Sequence, residues 1–334
     1  MDLDKLRKVQ KKLPRFVFKN HKANVRIRKA RRTVANVKLE NMNKQMGRSV
    51  EIQLVRAFRK LKAMVSEEKL YHAFIKGDEA AILSIIPWEQ FTKDIIAIVP
   101  TIEQAMRLSG KNALTYLPSK VEKADLPFEI HMDLRNPLPS PKNPNARYDL
   151  KNPEIAKYIS EVTGNMVTNI TKDVQVVIQN AVRRSFSNAL TPRDVARMIK
   201  GSIGLTPRYE QAVMNYQSGL EARNVSPERI DRLVDSYQDR LLSSRAMTIG
   251  RTEIANASNE GQHQVWDNAA AEGLIDKTTA KKVWTTDTDP CPICEDMDGE
   301  EVGLDEAWIL PDGRAVMIPT ESHPNCLCLM SLNI

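Results

Sequence analysis

Four cysteines and a histidine crowd the last 44 residues of this 334-residue chain: Cys291, Cys294, His323, Cys326 and Cys328. Their spacing is C-x2-C-x28-H-x2-C-x-C. Two thiolates separated by two residues grip one metal ion from a tight turn. A second pair, brought in by a loop, completes a tetrahedron, and Zn2+ suits such sulfur and imidazole donors. Cys291 and Cys294 are the surest pair. If 326–328 is a strand, Cys326 and Cys328 face one side and four cysteines suffice. Otherwise His323 closes the site with one of them, a choice favoured by the His-x2-Cys spacing that repeats the first knuckle. The segment is too short and too acidic to bury much apolar surface, so the expected role of Zn2+ is structural. A catalytic zinc would keep an open position and a carboxylate base. Glu295 and Asp296 lie nearby, but solvation of an acidic surface accounts for them. A redox reading lacks a surrounding βαβ pattern, and disulfides do not fit the cytoplasmic synthesis expected of a chain whose basic first residues, Met1 to Lys12, have no apolar stretch.

The second chemical feature is charge. Arg26, Arg28, Lys29, Arg31 and Arg32 fall within seven positions, and residues 1–70 hold 21 Lys and Arg against 6 Asp and Glu. Although the net charge of the chain is +7, its last 50 residues set Arg314 alone against 11 acidic residues. A polyanion is drawn to the first region and repelled by the last. The five clustered cations are the candidate nucleic-acid contacts, acting through phosphates. Residues 1–47 contain only Phe16 and Phe18 as aromatics, so base-specific reading is not expected. An acidic protein surface is the alternative partner of this arm. Arg251 and Glu253 sit two apart on a helix and point away from each other, which suits separate packing contacts better than a catalytic pair. His263 is expected on a helix surface, and His21, His72 and His131 form no pattern. No Gly-rich phosphate loop, Ser/His/Asp set or HExxH motif is present, so no enzyme is expected.

The elements that would position these groups are mainly helices. Aromatics make up 5% of the chain, too few for a large β core. Residues 1–47 read as a basic arm, partly disordered or conditionally helical, and 48–116 as a helical region. Within it Ile52, Val55, Leu61 and Val65, with Phe58, form a stripe. Residues 78–86, 89–99 and 101–108 continue the helical pattern. Seven of the 18 prolines lie in 117–153, which reads as an extended linker. Residues 154–282 form a helical body. Thr191-Pro192, Thr206-Pro207 and Ser226-Pro227 mark helix starts. Ile230, Leu233, Val234, Tyr237 and Leu241 form the apolar stripe of a helix reaching Ala271, with Gly250 and Gly261 as its weak points. Residues 283–334 form the Cys/His module, with a strand at Val283–Thr286, tight turns at Asp298-Gly299 and Asp312-Gly313, and a short strand at 315–318. No apolar run suffices for a membrane span.

One ordered series carries a family resemblance. Ile249-Gly250-Arg251-Thr252-Glu253 is followed by Val283-Trp284-Thr285-Thr286-Asp287, then Cys291-Pro292-Ile293-Cys294, Asp298-Gly299 and His323-Pro324-Asn325-Cys326-Leu327-Cys328. Residues 155–334 thereby resemble the phage Mu F-like minor head proteins, also called head-morphogenesis proteins. Leu327 departs from the pattern, where the family often has Arg. The resemblance implies a low-copy structural protein of a tailed-phage virion, assembled in the host cytoplasm. Portal, scaffold and capsid proteins are its implied partners, with non-specific DNA contact in packaging or delivery and no membrane role. A metal-dependent nuclease or transferase, or a zinc-containing DNA-binding protein, is the alternative. The basic N-terminal third lies outside the resemblance.

Overall fold

The computed structural model describes residues 33–76, 79–117, 153–187 and 191–334. The arm cations Arg26, Arg28, Lys29, Arg31 and Arg32, with His21, His131 and nearly all of the Pro-rich linker, lie outside the described residues. The fold is mainly helical, with short strands confined to the C-terminal module. None of the described helices is long and apolar enough to cross a membrane.

The first helix, α1 (Val34–Met64), starts where the Thr33 hydroxyl accepts the Asn36 amide at 3.1 Å. It runs unbroken across position 47, where composition alone marks a boundary. The reason is its buried face, which is polar at first (Asn36, Glu40, Asn43) and apolar only later (Val50, Leu54, Phe58, Leu61). The apolar stripe is also displaced from the expected one: Leu54 is fully buried and Ile52 is 41% exposed.

After it come α2 (Glu67–Ile75), α3 (Glu79–Ser84), α4 (Trp88–Ile96) and α5 (Val99–Ala113), which ends in a 3-10 turn at Leu114–Tyr116. Next are α6 (Pro153–Ser187), α7 (Pro192–Ser202), α8 (Pro207–Glu221) and α9 (Pro227–Ala271). Thr191 and Thr206 cap α7 and α8 through the amides of Asp194 and Tyr209. Ser226 occupies the corresponding place before α9, but its side chain makes no capping bond.

Helix α9 is the axle of the molecule. Its 45 residues span about 68 Å, and α1 and α5 pack along it. Gly250 and Gly261 are its points of closest approach to these neighbours. A Cβ on Gly250 would lie 2.5 Å from the Gly47 carbonyl oxygen of α1, and one on Gly261 would lie 2.3 Å from the Met106 carbonyl oxygen of α5. The expected weak points are thus the places where helix backbones touch.

The C-terminal module is built on β1 (Lys281–Thr285), flanked antiparallel by β2 (Glu301–Gly303) and β5 (Leu329–Asn333). Val283 pairs with Glu301 on one side and Ser331 on the other. A separate pair joins β3 (Trp308–Ile309) to β4 (Ala315–Val316), and the short helix α10 (Pro292–Met297) carries the first knuckle. Gly299 and Gly313 adopt φ of 87° and 85°, as their tight turns require. Strand β5 carries no sequence signal of its own, and 326–328 precedes it without joining the sheet. Lys282 is fully buried; its ammonium lies 4.7 Å over the Trp308 ring and donates to Met317 O at 2.8 Å. Burial pushes its pKa down to about 8. One continuous apolar core runs from Val50 through Trp266 to Met330, so the N-terminal helices and this module share it.

Candidate metal centre

The turn leading into α10 presents the first two thiols. Cys291 is the residue before the helix and Cys294 lies one turn in. The second group comes from the loop between the 3-10 turn Pro319–Glu321 and β5. Asn325 takes a φ of 69° there, a left-handed conformation that asparagine tolerates better than most residues. That turn aims His323 back at the first knuckle. His323 Nε2 lies 3.1 Å from Cys291 Sγ and 3.2 Å from Cys294 Sγ.

All five sequence-read residues meet here, as two overlapping groups. Cys291, Cys294 and His323 form one; Cys294, Cys326 and Cys328 form the other. These groups could hold a metal ion. Cys294 Sγ is 3.7 Å from Cys326 Sγ, close to the edge of about 3.8 Å in a tetrahedron with Zn–S bonds of about 2.3 Å. His323 Nδ1 is 2.9 Å from the Pro324 carbonyl. Donation of the Nδ1 proton to that carbonyl leaves the Nε2 lone pair free to ligate, an arrangement usual for metal-binding histidine. Hydrogen bonds from the Cys294 and Cys328 thiols hold the Cys326 thiol down to about 3, while the bond to Cys326 pushes Cys294 up. Three sulfurs this close share protons, and a cation among them is what lets them ionise together. Leu327, between two of them, is buried.

Helix α9 holds the loop from behind. The Thr252 hydroxyl accepts the Asn325 amide at 2.9 Å, and Arg251 reaches Asn325 Oδ1 at 3.4 Å. Two turns further on, buried Asn259 donates to Cys328 O at 2.9 Å and Gln262 to Met330 O at 3.4 Å. Arg314 donates to Ser322 O at 2.9 Å, next to His323. Arg251 and Glu253 part company as their spacing predicts. Glu253 instead faces a cavity of about 320 Å³ with Tyr209 and Arg245, where burial pushes it up to about 7. His263 corrects its expectation: it is largely buried, with Nε2 3.0 Å from Leu304 O, because the loop after β2 folds over that face of α9.

Helix α1 also reaches the module, a contact that sequence reading missed. Asn36 donates to the Ser331 hydroxyl at 3.0 Å, and the Thr288 hydroxyl lies 3.1 Å from Glu40 Oε1. Asn259, Gln262, Asn36 and Glu40 are polar residues in helical stretches, and such residues read as solvated surface unless their partners are known.

Residues 176–331 match the family described as Phage Mu protein F like protein. Neither the curated proteins nor the solved structures give a significant match.

Proposed function

From the match of residues 176–331 to the Phage Mu F-like family, we propose that the chain is a structural minor head protein of a tailed phage. It acts in head assembly beside the portal, with scaffold and capsid proteins as neighbours, and its C-terminal module is stapled by one Zn2+. The observation that carries this reading is the coincidence of the family match with a unit in which the motif residues serve each other. Arg251 and Thr252 hold the loop that presents His323 and Cys326. This use of the motif favours architecture over catalysis.

Cys291, Cys294, His323 and Cys326 are the proposed ligands, and Cys328 lies just outside the set. The 3.7 Å Cys294–Cys326 edge supports this choice, as do the 3.1 and 3.2 Å approaches of His323 Nε2 to Cys291 and Cys294 Sγ. Zinc here closes a long loop instead of activating a substrate.

The test of the head assignment is mass spectrometry of purified heads from a phage carrying this gene, with and without the gene disrupted. The protein is expected in heads at low copy, with head yield lost on disruption. Full head yield without it, or a nuclease or transferase turnover abolished by Glu253→Gln in a folded protein, would overturn the reading.

A further inference from the structure

The charges of α1 are sorted by side. Its two carboxylates, Glu40 and Glu51, are turned inward and are 3% and 7% exposed. The exposed residues at helical spacing are Lys38, Asn41, Gln45, Arg48, Ile52, Arg56 and Arg59, a stripe without an acid. From Lys38 to Arg59 it spans about 32 Å at 1.5 Å per residue, close to one turn of B-form DNA at about 34 Å. Arg48 covers Glu51 at 2.7 Å and Arg59 reaches Asp239 at 3.3 Å, yet their side chains remain 66% and 57% exposed. Such open pairs are weak and exchange readily for phosphate. Lys38 and Arg56 are exposed and make no ion pair among the described residues.

We propose that this outer face of α1 is a docking surface for the phosphate backbone of duplex DNA. The choice of polyanion rests on the head-protein reading above, because packaged DNA is the polyanion a head encloses. Charge complementarity favours it over an acidic protein. The stripe continues a sequence, residues 1–32, with 13 Lys and Arg against Asp2 and Asp4. Four cations with no acid along this face suit the repeated phosphates of a duplex. Asn41 and Gln45 add side-chain amide donors, which hold phosphate oxygens without reading bases. Binding therefore positions the duplex along α1 irrespective of its sequence. The acidic C-terminal module disfavours the same duplex elsewhere.

The full chain is titrated onto two unrelated duplexes by fluorescence anisotropy between 50 and 200 mM salt. Protein concentrations span roughly 10⁻⁶–10⁻⁴ M, where sequence-independent phosphate contacts typically saturate. Equal affinity for both duplexes and a steep negative salt slope are expected. Lys38→Gln with Arg56→Gln removes the two cations of the stripe that make no ion pair among the described residues, without touching the core. This variant should flatten the log–log slope by about 1.8, at about 0.9 per phosphate contact, and weaken binding on the order of tenfold per cation at 0.1 M salt. The charge-matched variant Arg223→Gln with Arg232→Gln, at exposed cations remote in sequence from α1, should keep the original slope. An unchanged slope in the Lys38/Arg56 variant overturns the proposal, as does absence of binding by the unaltered chain at 50 mM salt. If the unaltered chain ignores DNA but the Lys38/Arg56 variant alone fails to enter heads, the face belongs to an acidic head protein. A chain that binds DNA through α1 but is absent from heads sinks the head assignment and leaves the surface standing.

Discussion

Asn325 and Thr252 are separated by 73 residues and joined by one 2.9 Å hydrogen bond. That bond fixes the left-handed turn on which His323 and Cys326 depend, so Thr252→Val should loosen metal grip without removing a ligand. A faster loss of zinc to a chelator, with helix content unchanged, is the expected outcome. Ligand choice is tested by elemental analysis of protein purified in reductant. Unaltered protein and Cys328→Ser should each retain about one zinc per chain, whereas Cys326→Ser should lose it. Glu253 gives a pH prediction. Its folded-state pKa, about 7, lies above the ordinary 4.5, so its charged form is disfavoured in the folded chain. Stability is then full below pH 4.5, falls as pH rises to 7 and stays low above it. Glu253→Gln should flatten that fall and be more stable at pH 8, by on the order of 1–2 kcal/mol after allowance for solvent screening. Denaturant midpoints across pH 4–8 measure it. At this scale the sequence was most legible where spacing encodes geometry: all five Cys and His positions converge. It was least legible where a residue's worth depends on a distant partner, as for Asn259 beneath Cys328.

Helix glycines ordinarily cost about 1 kcal/mol relative to alanine, so their replacement in an exposed helix stabilises. At Gly261 the sign should reverse, because a methyl would meet the Met106 carbonyl at 2.3 Å. Gly261→Ala is expected to destabilise by about 1–3 kcal/mol, the usual cost of overpacking. Gly164→Ala and Gly219→Ala, on helices α6 and α8 with nothing within 4 Å of the added carbon, should gain a few tenths to about 1 kcal/mol. Thermal unfolding of the three variants decides the matter, and a stabilised Gly261→Ala would mean that α5 and α9 do not touch as described. Helix starts at Thr191 and Thr206 were legible because capping is local chemistry. The start of α1 was not, because Asn36, Glu40 and Asn43 are buried polar residues whose periodicity carries no apolar signal. For the same reason β5 escaped notice: its place is fixed by pairing with β1, not by alternation of its own.

Across the whole molecule, α1 does two jobs on opposite faces. Its inner face completes the core beside α9, which bears on where the chain can be shortened. Removing residues 1–32 should leave the fold and metal content intact, whereas removing 1–47 strips Leu39, Glu40 and Asn43 from α9 and the module. The longer truncation is expected to lower the unfolding midpoint and release zinc, measured by calorimetry and metal analysis on the two proteins. The composition boundary near residue 47 therefore marks where the buried face of one helix turns from polar to apolar.

The Asn36–Ser331 hydrogen bond joins residues 295 apart in sequence. During translation α1 is made well before the strand it leans on. At about 5–20 residues per second, roughly 15–60 s separate the two. For most of that interval the apolar stripe from Val50 to Val65 lacks its α9 partner, and the sulfur cage has neither half. Such long-range closure is slow and leaves nascent chains open to aggregation. The chain's early positive charge repels neighbouring copies in the same interval, so the sequence that would later face phosphate also keeps unfinished molecules apart.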